Sequence, residues 1–276
     1  MTEKPSHYIH GTDPDEQRRL SLLNDILNQG SLRELAVQGG ESILDLGCGP
    51  GQLTRLMARA AGPEARVVGI DRSEAQLAEA RRLAGLDGEE GRVEFRAGDV
   101  LDLSLGPGEW GSFDVAHTRF LLEHVSDPLA VVRAMVRAVK PGGRVALEDE
   151  DHDILRLWPE PEGLREVWRA YAESYSRAGN DPFVGRKLVQ LLYEAGARPR
   201  RSTFIFFGAG AGDPLFPAIA TNILGVLRGA KPAILAGAAM DEGVFERTMD
   251  ALRDWGDRPD AGFWYAMAWA EGIRPA

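Results

Sequence analysis

A chain of 276 residues, 44% of them hydrophobic, can build one large core with additions, or one domain and a small cap. Its formal net charge of −10 lacks the basic balance of a nucleic-acid binder and disfavours large RNA or DNA substrates. The single cysteine, Cys48, excludes an intrachain disulfide framework and fits a reducing cytoplasm. Residues 1–7 lack the apolar core of a signal peptide, and no run reaches the ~18–20 apolar residues of a membrane span.

Asp13-Pro14-Asp15-Glu16 reads as a helix start, with Asp13 as cap and Pro14 at the first helical position. Leu20, Leu22, Leu23, Ile26 and Leu27 form its apolar stripe, and Gly30 is expected to end it. Ser31 and Glu34 repeat the capping signature for a second, shorter helix. These helices read either as packing against the core or as part of a lid.

Next comes the stretch that organises the chain. Ser42 to Leu46 is an apolar run holding one carboxylate, Asp45, and it enters the glycine turn Gly47-Cys48-Gly49-Pro50-Gly51. Leu53, Leu56, Met57 and Ala60 then follow at helical spacing, so the stretch is strand, tight loop and helix. Glycine permits positive φ and close ligand approach, and the free N–H groups of a helix start favour electron-rich ligand atoms. A second apolar strand, Val67 to Ile70, ends at Asp71, where a carboxylate can accept hydrogen bonds from both ribose hydroxyls of a nucleoside.

Beyond Asp71, Ser73 and Gln76 pair as a cap, and a helix carrying Leu77, Ala80, Arg81 and Ala84 runs to Gly85. Arg92 to Arg96 alternates like a strand and leads into Gly98-Asp99-Val100. Phe113 to His117 is the fourth strand. Asp127-Pro128 starts a helix with Leu129, Val132, Met135, Val136 and Val139 on its apolar face. Arg144 to Leu147 is the fifth strand, ending in the acidic run Glu148 to Asp153, which reads equally as a substrate-facing cluster or a solvated charge run. Helices are expected over 161–180, Val184 to Ala195, 214–229 and 241–255, and strands over Thr203 to Phe207 and Phe263 to Ala270. Gly208 to Gly212 reads as a hinge. The alternation places the chain in the α/β class.

The run Leu44-Asp45-Leu46-Gly47-Cys48-Gly49-Pro50-Gly51, with Asp71 and with Leu122-Glu123-His124-Val125-Ser126-Asp127-Pro128, resembles the class I S-adenosylmethionine-dependent methyltransferases over roughly residues 40–150. The resemblance implies a Rossmann-like sheet of seven mostly parallel strands flanked by helices, with helical cap additions. Residues 1–40 would form an N-terminal helical lid. Residues 41–276 would form the methyltransferase domain, with insertions near 160–180 and 213–256. S-adenosyl-L-methionine would be the cofactor. The matching positions implied for binding it are Tyr8, Asp45, Gly47, Cys48, Gly49, Gly51, Gln52, Asp71, Arg72, Gln76, Gly98, Asp99 and Val100. His117, Thr118 and Arg119 are added as ligand-facing residues just past the fourth strand.

The implied reaction is methyl transfer to a small molecule, with no metal, no nucleic-acid partner and no membrane partner, and with a homodimer as an option. His152, just past the fifth strand, is the candidate base; its other reading is an exposed loop residue. Two other readings stay open. One is a module that binds the cofactor without methylating anything. The other is a nicotinamide-dependent oxidoreductase, which the Gly47-x-Gly49-x-Gly51 spacing and the lack of a Tyr-x-x-x-Lys pair disfavour.

Overall fold

The computed structural model describes residues 27–237 and 240–276. Tyr8, the helix start at Asp13 and most of the expected lid lie outside the described residues. The chain divides into two compact units. The larger takes in the described residues through Asp151, Phe183–Ile205 and Met267–Ala276; the smaller takes in His152–Pro182 and Phe206–Ala266.

The strands are β1 (Ile43–Leu46), β2 (Val67–Asp71), β3 (Glu94–Ala97), β4 (Phe113–Arg119), β5 (Val139–Asp149), β6 (Arg156–Trp158), β7 (Arg198–Gly210) and β8 (Gly262–Ile273). In the larger unit the order is β3-β2-β1-β4-β5-β8, and β7 also pairs with β8. The first five strands are parallel, and β8 is antiparallel to β5. This is the mostly parallel, helix-flanked sheet expected for the α/β class. All four residues of β1, and four of five in β2, are buried, as in a sheet covered on both faces. Helices α1 (27–35), α2 (Gln52–Ala61), α3 (Glu74–Leu86) and α4 (Pro128–Ala138) supply much of that cover. Asp127 caps α4 as its sequence suggests, its carboxylate accepting the Ala130 N–H at 2.9 Å. The strand order reverses between β1 and β4, and open α/β sheets bind ligands at the carboxyl ends beside such a reversal.

Helix α1 corrects one reading. Gly30 does not end a helix, nor does Ser31 start one, because residues 27–35 are continuously helical. Gly30 is there for close approach: a Cβ on it would lie 2.5 Å from Cγ2 of Ile205. The Ser31 hydroxyl donates to Leu27 O and to Glu148 instead of capping.

Other boundaries moved. The expected helix from Val184 splits into a 3-10 turn, Val184–Lys187, and α6 (Leu188–Glu194). The sixth expected strand is longer, and Gly208 and Gly210 belong to it as β7 rather than to a hinge. A Cβ on Gly208 would meet Phe263 O at 2.8 Å, so this glycine serves strand contact.

The smaller unit holds α5 (Leu164–Arg177), α7 (Phe216–Gly229), α8 (Lys231–Leu235) and α9 (Glu242–Gly256). Phe216 of α7 and Trp255 of α9 pack at 5.1 Å between ring centroids. Where two helices were expected there are three, with Pro232 in the first turn of α8. Strand β6 was not foreseen and brings the described strands to eight; it pairs antiparallel with β8 at Phe263. Three residues are too few for a period to register.

Candidate active site

The loop after β1 is a tight turn fixed by the backbone. Gly47 and Cys48 donate to Ile70 O at 2.8 and 3.1 Å, and Gly51 donates to Cys48 O at 3.0 Å. Gly47, Gly49 and Gly51 have φ of 72°, 52° and 70°, which L side chains resist. Their surroundings differ. A Cβ on Gly51 would sit 2.6 Å from the Phe95 ring, and one on Gly47 would press on Leu121. A Cβ on Gly49 would meet none of the described residues within 4 Å, so among them Gly49 is where the loop opens to a ligand. Gly51 offers α2 no side-chain cap, leaving the N–H groups of that helix start without one.

Asp71 ends β2 and faces this loop. Its Oδ2 accepts from Gly49 N at 2.9 Å and its Oδ1 from Ser73 N at 2.8 Å. Each oxygen retains a further acceptor position. Ser73 caps α3 by accepting from Gln76 N at 3.3 Å, as the sequence suggests. The side-chain Oε1 of Gln76 is buried with no hydrogen-bond partner among the described residues. Gly98 N donates to Asp71 O, which brings Gly98, Asp99 and Val100 to the same end of the sheet. Asp99 caps the 3-10 turn Val100–Asp102 through Leu101 N at 2.9 Å, and Val100 is buried. Arg72 and Gln52 flank the loop and the strand end in sequence.

Cys48 is half-buried, and its Sγ would meet a Cβ placed on Gly69 at 3.0 Å. Burial, with the carboxylates of Asp45 and Asp71, pushes its thiol well up, so it offers no thiolate nucleophile.

His117, Thr118 and Arg119 require a correction. They lie inside β4, not past its end; His117 and Thr118 are buried, and the Arg119 side chain is nearly so. Thr118 Oγ1 donates to Leu46 O at 2.9 Å. His117 Nδ1 lies 2.8 Å from Asp45 Oδ1, and Arg119 donates to Ser31 Oγ and Asn28 Oδ1 at 3.0 and 2.9 Å. Asp45 is likewise buried, its Oδ2 accepting from Thr54 Oγ1 at 2.5 Å. The residue that does leave β4 is Phe120, at φ 53°, a rare conformation for a bulky side chain. Nothing in local sequence signals it.

Most of the acidic run is buried; only Asp153 is exposed, and Glu150 is half-buried. Glu148 and Asp149 are fully buried. Asp149 accepts from Leu121 N, Leu122 N and Glu150 N, at 3.2, 2.7 and 2.9 Å, and so fastens the turn after β4. Burial first, and then the Glu123 charge, pushes its carboxyl well above the usual range. Asp151 makes a two-pronged pair with Arg186, both contacts at 2.6 Å.

His152 belongs to the smaller unit and is buried, not an exposed loop residue. Its ring lies 5.8, 5.3 and 5.0 Å from those of Trp168, Tyr171 and Tyr175, and its backbone O accepts from Trp168 Nε1 at 2.6 Å.

A glycine cradle, a carboxylate ending β2 and a third strand-end turn thus meet at one end of a parallel sheet. The methyltransferase-domain family matches residues 38–195, more than half of the chain. The chain belongs to this family. Its members share the class I, S-adenosylmethionine-dependent fold. An uncharacterised 37.1 kDa protein of a Streptomyces fradiae transposon is 36% identical over 210 residues, covering 75% of this chain and 56% of that protein. A demethylmenaquinone methyltransferase of Lactococcus lactis is 29% identical over 171 residues, 62% of each chain. The chain thus spans between half and two thirds of the length of these curated relatives. A solved geranyl diphosphate C-methyltransferase of Streptomyces coelicolor, in complex with Mg2+, geranyl diphosphate and S-adenosyl-L-homocysteine, matches with a TM-score of 0.55 at 15% identity. That match covers 98% of this chain and 89% of the other. At that identity the likeness is one of fold.

The methyltransferase cradle also fits the family cofactor on its own geometry. Among the described residues, Gly49 leaves open space where a ligand approaches, Asp71 keeps acceptor capacity beside it, and Gln76 Oε1 lacks a partner.

Proposed function

We propose that this chain binds S-adenosylmethionine in the cradle of Gly47, Gly49, Gly51, Asp71 and Gly98 to Val100, and methylates a small molecule. The observation that carries the reading is the open face at Gly49, held against Asp71 by a 2.9 Å hydrogen bond. When bound, the cofactor supplies an electrophilic methyl group for in-line displacement by an acceptor atom. Asp71 would accept hydrogen bonds from the ribose. Asp99 and Val100 would meet the adenine, on its edge and face. The N–H groups at the start of α2 would face the electron-rich end of the ligand.

The protein's own contribution is then orientation of the reactants and exclusion of water. A small, partly apolar acceptor is supported by the names of the relatives, which act on quinone-type and prenyl diphosphate molecules. Among the described residues no helix is long and apolar enough to cross a membrane. A cytoplasmic location is our reading of the single cysteine.

Calorimetry with S-adenosylmethionine, S-adenosylhomocysteine and NAD is the first test, followed by transfer of labelled methyl to a panel of phenols, quinols and prenyl diphosphates. Binding of both sulfur ligands but not NAD, with label in one acceptor, is the expected result. NAD binding alone would sink the reading, and cofactor binding with no transfer to any acceptor would favour a binding module.

A further inference from the structure

Beneath α1 and the first turn of α2, one face of the sheet carries a row of buried ionisable groups. Asp45 on β1, His117 and Arg119 on β4 and Glu148 on β5 are all nearly or fully excluded from solvent. Strand register sets Asp45 beside His117, and Arg119 beside Glu148. The residue next to His117 on β5 is Ala146, whose methyl side chain leaves the imidazole space toward Glu148. His117 Nδ1 lies 2.8 Å from Asp45 Oδ1, and His117 Nε2 lies 3.9 Å from Glu148 Oε2. Those last two atoms are buried with no hydrogen-bond partner among the described residues.

Neither neutral form of the imidazole suits this place. With the proton on Nδ1, the Nε2 lone pair faces the Glu148 carboxylate. With the proton on Nε2, the Nδ1 lone pair faces Asp45 Oδ1 at hydrogen-bond distance. Charge counting agrees. Among the described residues, the two carboxylates and one guanidinium of the row leave a net negative charge, and an imidazolium cancels it.

The outer ends of the row reach two helices. Asp45 accepts from Thr54 in the first turn of α2, the helix that follows the glycine loop. Glu148 Oε1 accepts from Ser31 of α1 at 2.7 Å, and Arg119 donates to Ser31 and Asn28 of the same helix. We propose that His117 is a protonated positioning residue, its imidazolium bridging Asp45 and Glu148 and thereby holding α1 and the cofactor-loop end of α2 on the sheet. The inference rests on the methyltransferase reading only for the role of that loop.

The charged groups around the ring argue the same way. Burial alone lowers the value of His117, but the Asp45 hydrogen bond and the charges of Asp45 and Glu148 outweigh it and raise it from 6.5 to about 9. At 3.9 Å, Glu148 acts by charge rather than through a formed hydrogen bond.

The test is nitrogen NMR of the full chain labelled at its five histidines, with His117 assigned from the signals missing in H117Q. Both ring nitrogens of His117 should carry protons at pH 7.5, and E148Q should lower its titration midpoint by at least one pH unit. A singly protonated ring at pH 7.5 in the wild type overturns the inference, as does an unmoved midpoint in E148Q. Calorimetry with S-adenosylhomocysteine completes it: H117Q should bind at least 10-fold more weakly, and equal affinity overturns the positioning role. If the wild type binds no S-adenosylhomocysteine, the functional reading fails. The ring protonation in the same sample needs no ligand and still decides the inference.

Discussion

The Gly49 N–H donates to Asp71 Oδ2 at 2.9 Å across 22 residues of sequence. The carboxylate read as a ribose acceptor is therefore also a strut of the glycine loop. Removing it takes away a ligand contact and a loop contact together. Asp71→Ala is expected to weaken S-adenosylmethionine binding at least 10-fold, since a hydrogen bond to a charged group contributes about 1.5–3 kcal/mol. Calorimetry measures the first effect, and a small fall in thermal midpoint reports the second. Affinity within twofold of wild type would remove Asp71 from the site.

Gly49 and Gly51 share positive φ but not surroundings, so their substitutions should separate binding from folding. Gly49→Val meets no atom of the described residues through its Cβ and is expected to keep the fold, at a backbone cost of about 1–2 kcal/mol, while abolishing cofactor binding. Gly51→Ala puts a Cβ 2.6 Å from the Phe95 ring and should lose stability beyond that backbone cost. Urea melts and calorimetry on both variants check the contrast. Equal stability losses would mean the two positions are equivalent.

Gly30→Ala tests the close approach of α1 to β7. Helix propensity alone favours alanine by about 1 kcal/mol. The 2.5 Å contact with Ile205 Cγ2 opposes it, and a net loss of about 1–3 kcal/mol is expected. Pairing it with Ile205→Ala, which removes that methyl, should make the two effects non-additive in denaturant melts.

Stability should also report on the His117 proton. A folded value of about 9 against an ordinary 6.5 means the stabilisation is complete below the unfolded value and is lost as pH climbs to about 9. Its size is on the order of 3 kcal/mol, at about 1.4 kcal/mol per pH unit. Asp149, also raised, is common to wild type and H117Q, so the difference between their urea melts isolates His117. A difference that stays flat from pH 6 to 9.5 would contradict the assignment.

His152 fills space among three aromatic rings, and His152→Ala is expected to cost about 2 kcal/mol or more through the hole it leaves. A base role would add a second effect, loss of the acidic limb of the rate profile in His152→Gln. Thermal melts read the first effect, and transfer rates across pH read the second.

The glycine loop and its flanking elements were legible in the sequence because they are local. A strand, a glycine turn and a helix occupy adjacent residues from Ile43 to Ala61, and turn chemistry at Gly47, Gly49 and Gly51 is a property of the chain itself. Asp71, Ser73 and Asp127 were likewise readable, since strand ends and caps are set by neighbours a few residues away. The α/β class followed from the alternation of periods.

What only the tertiary structure decided depends on distant partners. The run Glu148 to Asp153 has the composition of a surface. The burial of Glu148, Asp149 and Asp151 comes from β4 and β8 on either side of β5, and from Leu121, Leu122 and Arg186 meeting the Asp149 and Asp151 carboxylates. Gly30 looked like a helix end because local sequence carries no sign of Ile205 packed against it. His117 looked like a ligand-facing residue because a histidine near a strand end is ambiguous on its own. Its place between Asp45 and Glu148 follows from strand register, which joins residues 72 apart and is set by the pairing of the whole sheet.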